Sequence, residues 1–344
     1  MSHHSYKSLS ILMLSLLLVP AASAQITSDD IGTDKLAQTS FKFLTISTDA
    51  RAAALGDAMT ATDMHSSVAM FYNPAGMARL DKQFSAGFGI TDWIAEISYN
   101  AASAAYSTNY GVFGVALLFA DYGDNFIGTI RANNEQGFTE YSSLGLSDPN
   151  PSSLSLGLGY AIALTDRFSV GANAKYVSQD LGTAVVSSDG ATADNEASTV
   201  AFDFGVLYKT GFRSLNFAMS VRNFAQELQY VDENFELPLT FNVGVSMNMV
   251  DLSNLDPNTH AFNLSVEAER PRDFEEQLKI GGEYMFRNLL ALRAGYTFPT
   301  DEQGISLGGG LNLDTSGIGI GINYAFTSFG VFDAVHRVGL QLAF

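Results

Sequence analysis

Ser153-Leu154-Ser155-Leu156-Gly157-Leu158-Gly159-Tyr160-Ala161-Ile162-Ala163-Leu164 alternates without a break. The even positions hold Leu154, Leu156, Leu158, Tyr160, Ile162 and Leu164; the odd ones hold only Ser, Gly and Ala. A repeat of two is that of a β-strand, whose successive side chains point to opposite faces. One face here is large and apolar, the other small. The pattern returns in Phe168 to Tyr176, in Leu239 to Met249 and in Ile318 to Phe326. Read from Gln83 onward, it predicts fourteen strands: 84–92, 95–108, 110–120, 152–164, 167–180, 196–210, 214–226, 237–250, 259–270, 274–286, 289–299, 303–313, 317–327 and 332–344.

A soluble sheet also alternates, but its outer face carries many charges. Here the less apolar face is mostly Gly, Ala, Ser and Asn, with scattered charges at Lys209, Arg222, Glu267, Lys279, Glu283 and Arg293. That suits the lumen of a membrane barrel partly filled by protein. Most segments are also longer than the roughly 5–6 residues of an average globular strand. The chain of 344 residues is 47% hydrophobic and only 16% charged, below the roughly 25% charged usual for soluble proteins.

Other classes fall away on chemistry. A net charge of −18 opposes binding to a phosphate backbone, so no nucleic-acid partner is expected. The absence of Cys excludes disulfide scaffolds, thiol catalysis and thiolate zinc sites. Beyond the first few residues the histidines are His65, His260 and His336, far apart in sequence, and none is placed with a Ser in a catalytic arrangement. Glu267 and Glu269 share one face of a strand and could be read as paired acids, but lumenal pairing with Lys279 or Arg293 is the stronger reading. Asp251, Asp256 and Asn258 do not fit an EF-hand loop, and Gly308-Gly309-Gly310 is followed by no Lys-Ser/Thr. The expectation is therefore a protein that is not an enzyme and has no cofactor and no metal.

The amino terminus has the three parts of an export signal: Lys7, an apolar run from Leu9 to Val19, and Ala22-Ser23-Ala24 before a cut. The run is short of the roughly 20 residues that span a bilayer. This predicts a signal peptide at 1–24, a plug at 25–82 and an outer-membrane β-barrel at 83–344. The long connectors 121–151, 181–195 and 227–236 sort to one end of such a barrel, and short turns sort to the other. Asp251 to Asn258 breaks the rule. The external connectors are also acidic, which suits a solvated surface or attraction of basic partners or divalent ions. Val338, Leu340, Leu342 and Phe344 give the chain an alternating, aromatic end similar to the assembly signal of outer-membrane proteins.

Within the head, Asp49 to Met64 is Ala-rich and predicts a thin helix capped by Ser47 or Thr48. Asn73-Pro74-Ala75-Gly76 reads as a cap followed by Pro at the first helical position.

Four blocks carry a family resemblance: Phe43 to Ile46, Asp49 to Ala58, Ala69 to Ala78 and Phe168 to Tyr176. They resemble the PorV/PorQ family of outer-membrane proteins, with Arg51, Gly56, Asp57, Asn73, Pro74 and Gly76 as the motif and plug residues. The resemblance implies a fourteen-stranded barrel with an amino-terminal plug, set in outer-membrane lipid. Among the members is a type IX secretion shuttle, so secreted cargo proteins and secretion-system components are the implied partners. The Asn-Pro-Ala-Gly segment is also similar to that of FadL-type channels, which makes passage of hydrophobic compounds the alternative.

Overall fold

The computed structural model describes residues 39–123, 126–132, 135–185, 191–229, 234–315 and 317–344. The expected export signal lies outside them, as do residues 25–38. Fourteen antiparallel strands close into one barrel, each bonded to its chain neighbours and the last to the first. They are β1 Phe84–Asp92, β2 Ser98–Thr108, β3 Gly111–Asp121, β4 Ser152–Ala163, β5 Phe168–Val185, β6 Thr192–Lys209 and β7 Asn216–Phe224. After them come β8 Thr240–Asn248, β9 His260–Pro271, β10 Gln277–Phe286, β11 Leu290–Phe298, β12 Ser306–Thr315, β13 Ile318–Ser328 and β14 Ala334–Ala343. All fourteen expected segments are strands, and the difference is largest in β5 and β6, which run further toward each other than the alternation suggested. No helix among the described residues is long and apolar enough to cross a membrane.

Alternation becomes an inside and an outside. On β4, Leu156, Leu158 and Tyr160 are exposed on the outer wall while Ser153, Ser155 and Ala161 are buried against the interior. Closure gives each strand of the wall two hydrogen-bonded neighbours, the condition for a sheet to stand in hydrocarbon. At the seam, Phe84 N–H donates to Phe344 O at 2.8 Å and Phe344 N–H donates to Phe84 O at 3.0 Å. Their rings lie 4.7 Å apart.

The connectors sort by length. The two longest connectors, between β3 and β4 and between β7 and β8, leave the barrel at one end, and the turns 109–110, 164–167, 210–215 and 287–289 lie at the other. The exception is again the β8–β9 connector, which forms a short helix, Met249–Leu252, at the short-turn end. There Asp251 accepts from Ser214 N–H at 3.1 Å, while Asp256 accepts from Asn258 and Thr259 within its own turn.

Residues 39–82 fill the lumen. The segment begins at the long-loop end, where Ser40 N–H donates to Glu236 O and Lys42 pairs with Asp273. It descends to the short-turn end, where Asp63 meets Lys209 at 2.7 Å. Then it turns back up and down again through two short helices, Ser67–Phe71 and Pro74–Arg79, before entering β1.

The expected helix over 49–64 is far shorter, Ala50–Ala54. Its cap is Asp49, which accepts from Ala52 N–H at 2.9 Å, and not Ser47 or Thr48. Gly56 (φ 60°) and Asp57 (φ 61°) end it, because left-handed backbone cannot continue a right-handed helix. Ala content favoured helix, but the demand of the adjoining wall for a tight turn overrode it.

Candidate functional site

The plug is seated on two opposite walls by backbone contact. Ala54 to Gly56 lies on β10, β11 and β12, where each strand offers a glycine. A Cβ on Gly281 would stand 2.5 Å from Leu55 O, and Gly295 and Gly308 leave similarly little room against Leu55–Gly56 and Ala54. In the other direction a Cβ on Gly56 would stand 2.8 Å from Tyr296 N. Across the lumen, Gly171 on β5 and Gly205 on β6 receive Pro74 and the Asn73 side chain. Asn73 is fully buried and uses its whole amide: Nδ2 donates to Thr60 O at 2.8 Å and Val206 O at 3.1 Å, and Oδ1 accepts from Ala75 N–H at 3.0 Å. Gly76 has Ala69 beside it, where a Cβ would sit 3.1 Å from the Ala69 methyl.

Charged side chains connect plug to wall. Arg51 donates to both oxygens of Glu283, at 2.9 and 2.8 Å, and Arg293 Nε donates to Glu283 Oε2 at 2.6 Å. Arg293 continues to Asn323 Oδ1 at 2.8 Å. Higher up, Thr60 N–H donates to Glu267 at 2.8 Å, and Lys279 donates to Glu269 at 2.7 Å. The pairing expected of Glu269 with Lys279 is therefore present, whereas Arg293 serves Glu283. Arg337 on β14 donates to Ser47 O at 2.9 Å with its guanidinium 5.6 Å above the Trp93 ring. Burial raises the Asp49 carboxyl above its ordinary value, against the Ala52 N–H and Arg51.

One cluster escaped the sequence reading. β7 carries a bulge at Arg222 and Asn223, where Phe202 pairs with Phe224 but Phe204 pairs with Val221. Asn223, at φ 63°, donates its N–H to Asp203 at 2.8 Å, and Asp203 also meets Lys175 at 2.8 Å. The sequence signal was that Lys175 and Asp203 place charge on an inner face made mostly of uncharged residues.

Between this cluster and the plug lies a cavity of about 50 Å³ lined by Asp57, Lys175, Arg222, Asn242, Glu267 and Lys279 among others. Asp57 Oδ1, Asn173 Oδ1, Arg222 Nε and Asn242 Oδ1 border it without a hydrogen-bond partner among the described residues. A polar space of that size suits a few water molecules, at about 10–15 Å³ each. Two further cavities, about 390 and 420 Å³, flank the plug at the short-turn end and share Arg51 and Asp63.

At that end both ring nitrogens of His65 face acceptors. Nδ1 lies 2.5 Å from Arg79 O and 3.2 Å from Asp81, and Nε2 lies 3.1 Å from Asp63. The Asp63 carboxylate, with Arg79 O and Asp81 behind it, raises the imidazole above its ordinary value despite partial burial. Asp63 itself, against the cost of its burial, is held well below the carboxylate range by His65 and Lys209. His260 and His336 are bonded instead to tyrosine hydroxyls, Tyr284 and Tyr324, each at 2.7 Å.

The remaining motif residues lie at the seam. Leu340 faces outward and pairs with Phe88 and Ile322; Leu342 pairs with Ala86 and Ile320; Phe344 closes on Phe84. The site residues thus form two separate groups, one holding the plug and one closing the wall.

No curated protein matches the chain. Solved structures do. The toluene transporter TbuX of Ralstonia pickettii is 15% identical over 85% of this chain and 96% of its own, with a TM-score of 0.54. The toluene transporter TodX of Pseudomonas putida is 13% identical over 85% and 96%, with a TM-score of 0.53. At such identities the likeness is one of fold, that of an outer-membrane β-barrel. The PorV/PorQ likeness rests on the four sequence blocks alone. A family model does match over residues 70–334, that of the type IX secretion system membrane protein PorP/SprF, a family of secretion proteins and not of enzymes. The chain belongs to the PorP/SprF family.

Proposed function

We propose that this protein is an outer-membrane component of type IX secretion that binds or passes on secreted cargo, as a PorV/PorQ-type shuttle would, with its long-loop end facing the cell exterior and its amino-terminal leader removed on export. Bacterial barrels place short turns in the periplasm and longer loops outside, which supports the orientation. The observation that carries the reading is the state of the lumen. It is occupied by residues 39–82, seated on glycines and tied to the wall by Arg51–Glu283 and Thr60–Glu267. A barrel filled this way offers its outer loops, not its interior, to a partner.

The second reading, a FadL-type channel for hydrophobic compounds, draws on the fold shared with the toluene transporters. Against it stand the ionic lining and a wall whose fourteen strands are all hydrogen-bonded to both neighbours. An apolar solute crossing this lumen would have to displace buried charge pairs, each desolvated at a cost of several kcal/mol. The two readings separate on deletion of the gene: loss of secretion of specific proteins supports the first, and reduced uptake of an apolar compound with normal secretion supports the second.

A further inference from the structure

At the short-turn end the outer wall closes in a row of rings. His260 opens β9 and pairs in register with Phe286, the last residue of β10. Both share the face of Phe262 and Ile280, which are exposed on the outer wall, while Glu267, Lys279 and Glu283 of the same strands are buried inside. The His260 ring lies 5.8 Å from the Phe286 ring and 6.0 Å from that of Tyr284, whose hydroxyl is 2.7 Å from Nδ1. With that hydroxyl donating to Nδ1, the ring carries its proton on Nε2, which has no protein partner among the described residues.

Arg287 lies over the same row. Its guanidinium carbon is 5.3 Å from the centroid of the Phe286 ring, within the range of a cation–π contact. Arg287 and Asn288 both take a left-handed φ of 53°, and Leu289 N–H closes the turn on Phe286 O at 3.0 Å. A two-residue turn of this kind favours Asn, Asp or Gly at both positions. Asn288 meets that demand; an arginine does not. Nor does an ion pair hold it there, because Arg287 has no acidic partner among the described residues. The carboxylate of Asp256, on the adjoining connector, is taken by the Asn258 N–H at 3.1 Å and the Thr259 hydroxyl at 2.7 Å. Leu290 and Leu292 on β11 continue the exposed apolar surface away from the turn. A fixed cation and a ring N–H thus stand at the edge of a membrane band, where aromatic side chains gather.

We propose that Arg287, His260 and Tyr284 form a headgroup site for an anionic glycerophospholipid in the leaflet at the short-turn end. The phosphate sits on the Arg287 guanidinium and His260 Nε2, and the acyl chains run along Leu290 and Leu292. A guanidinium matches two phosphate oxygens with two parallel N–H groups. A zwitterionic lipid carries the same phosphate but brings a cation that Arg287 repels, so the site prefers a lipid of net negative charge. The opposite end of the wall supplies a comparison. His336 lies 2.7 Å from the Tyr324 hydroxyl and 5.8 Å from the Phe326 ring in the same manner, but the arginine next to it, Arg337, is turned into the lumen toward Ser47 O. The inference rests on the outer-membrane placement and goes beyond the secretion reading. It is tested on purified barrel, so its failure leaves the comparison of secretion in cells untouched.

The test is native mass spectrometry of the full barrel in neutral detergent with dioctanoyl phosphatidylglycerol or dioctanoyl phosphatidylcholine added. A single phosphatidylglycerol is expected to stay bound, about tenfold more tightly than phosphatidylcholine. Arg287→Gln is expected to abolish that preference, Arg287→Lys to restore part of it, and His336→Leu to leave it intact. Heat-modified mobility shows that each variant is folded. Equal retention of the two lipids by the parent protein would overturn the proposal, as would an unchanged preference in Arg287→Gln. Displacement of the lipid by inorganic phosphate at the same concentration would assign the site to a free anion and overturn it too.

Discussion

The hydroxyl of Thr297 donates to the carbonyl of Gly56 at 2.9 Å, where the plug backbone lies against β11. Gly56 combines a left-handed φ with contact against the Tyr296 backbone, so a side chain is opposed by both conformation and space. Gly56→Val is expected to destabilise the protein by about 2 kcal/mol or more. Heat-modified mobility on a gel, followed across temperature, would show an earlier transition. A variant as stable as the parent would mean that the plug does not press on the wall here.

Glu283 is buried between two guanidinium groups, Arg51 from the plug and Arg293 from β11. Removing its charge leaves both cations short of a partner, and Glu283→Gln is expected to cost about 3 kcal/mol. Replacing all three together, Arg51→Met, Glu283→Leu and Arg293→Met, should cost less than that single change. Denaturant midpoints for the three proteins decide it. A triple variant much weaker than Glu283→Gln would contradict an account in which the ion pairs specify plug position more than they stabilise it.

His65 makes the base of the plug sensitive to pH. Its value in the folded protein is raised by Asp63, so its contribution to stability is complete below the unfolded value of about 6.5 and is lost as pH rises through the folded value. Asp63 is depressed, so its contribution is present above the unfolded value of about 3.9 and is lost as pH falls through the folded one. Thermal midpoints are therefore expected to fall on raising the pH from about 6.5 into the alkaline range. His65→Gln should flatten that fall. A slope unchanged by the substitution would assign the pH response to other groups.

Phe84 and Phe344 exchange both backbone bonds, and their rings meet tilted at 32° with centroids 4.7 Å apart where the barrel closes. Phe344→Asp is expected to lower the amount of folded barrel in outer membranes, with the unfolded chain accumulating in the periplasm. Fractionation and heat modifiability report it, and normal membrane levels would remove Phe344 from the closure signal.

The barrel could be read from the sequence because its wall obeys one rule: a strand whose two faces meet lipid and lumen must alternate at every position. Connector lengths then gave the two ends, including the misfit at Asp251 to Asn258. Plug details could not be read this way. Asp49 to Met64 looks like a long helix by composition, and the left-handed backbone at Gly56 and Asp57, with Gly56 against Tyr296, explains why the helix stops at Ala54. Nor does local sequence reveal that Asp203 satisfies a bulge on the neighbouring strand, since Asn223 is 20 residues away and its φ is set by the ladder. Arg51 and Asn73 stood out as motif residues, but their partners Glu283 and Val206 belong to strands remote in the chain.

The central claim is that the filled barrel serves secretion. Its most direct measurement is the quantitative comparison of secreted and periplasmic proteins between cells with the gene and cells lacking it, with the gene restored as control. The account predicts that particular secreted proteins disappear from the cell surface and medium, accumulate in the periplasm and return on restoration. Unchanged secretion together with reduced uptake of an apolar compound would contradict it and favour the channel.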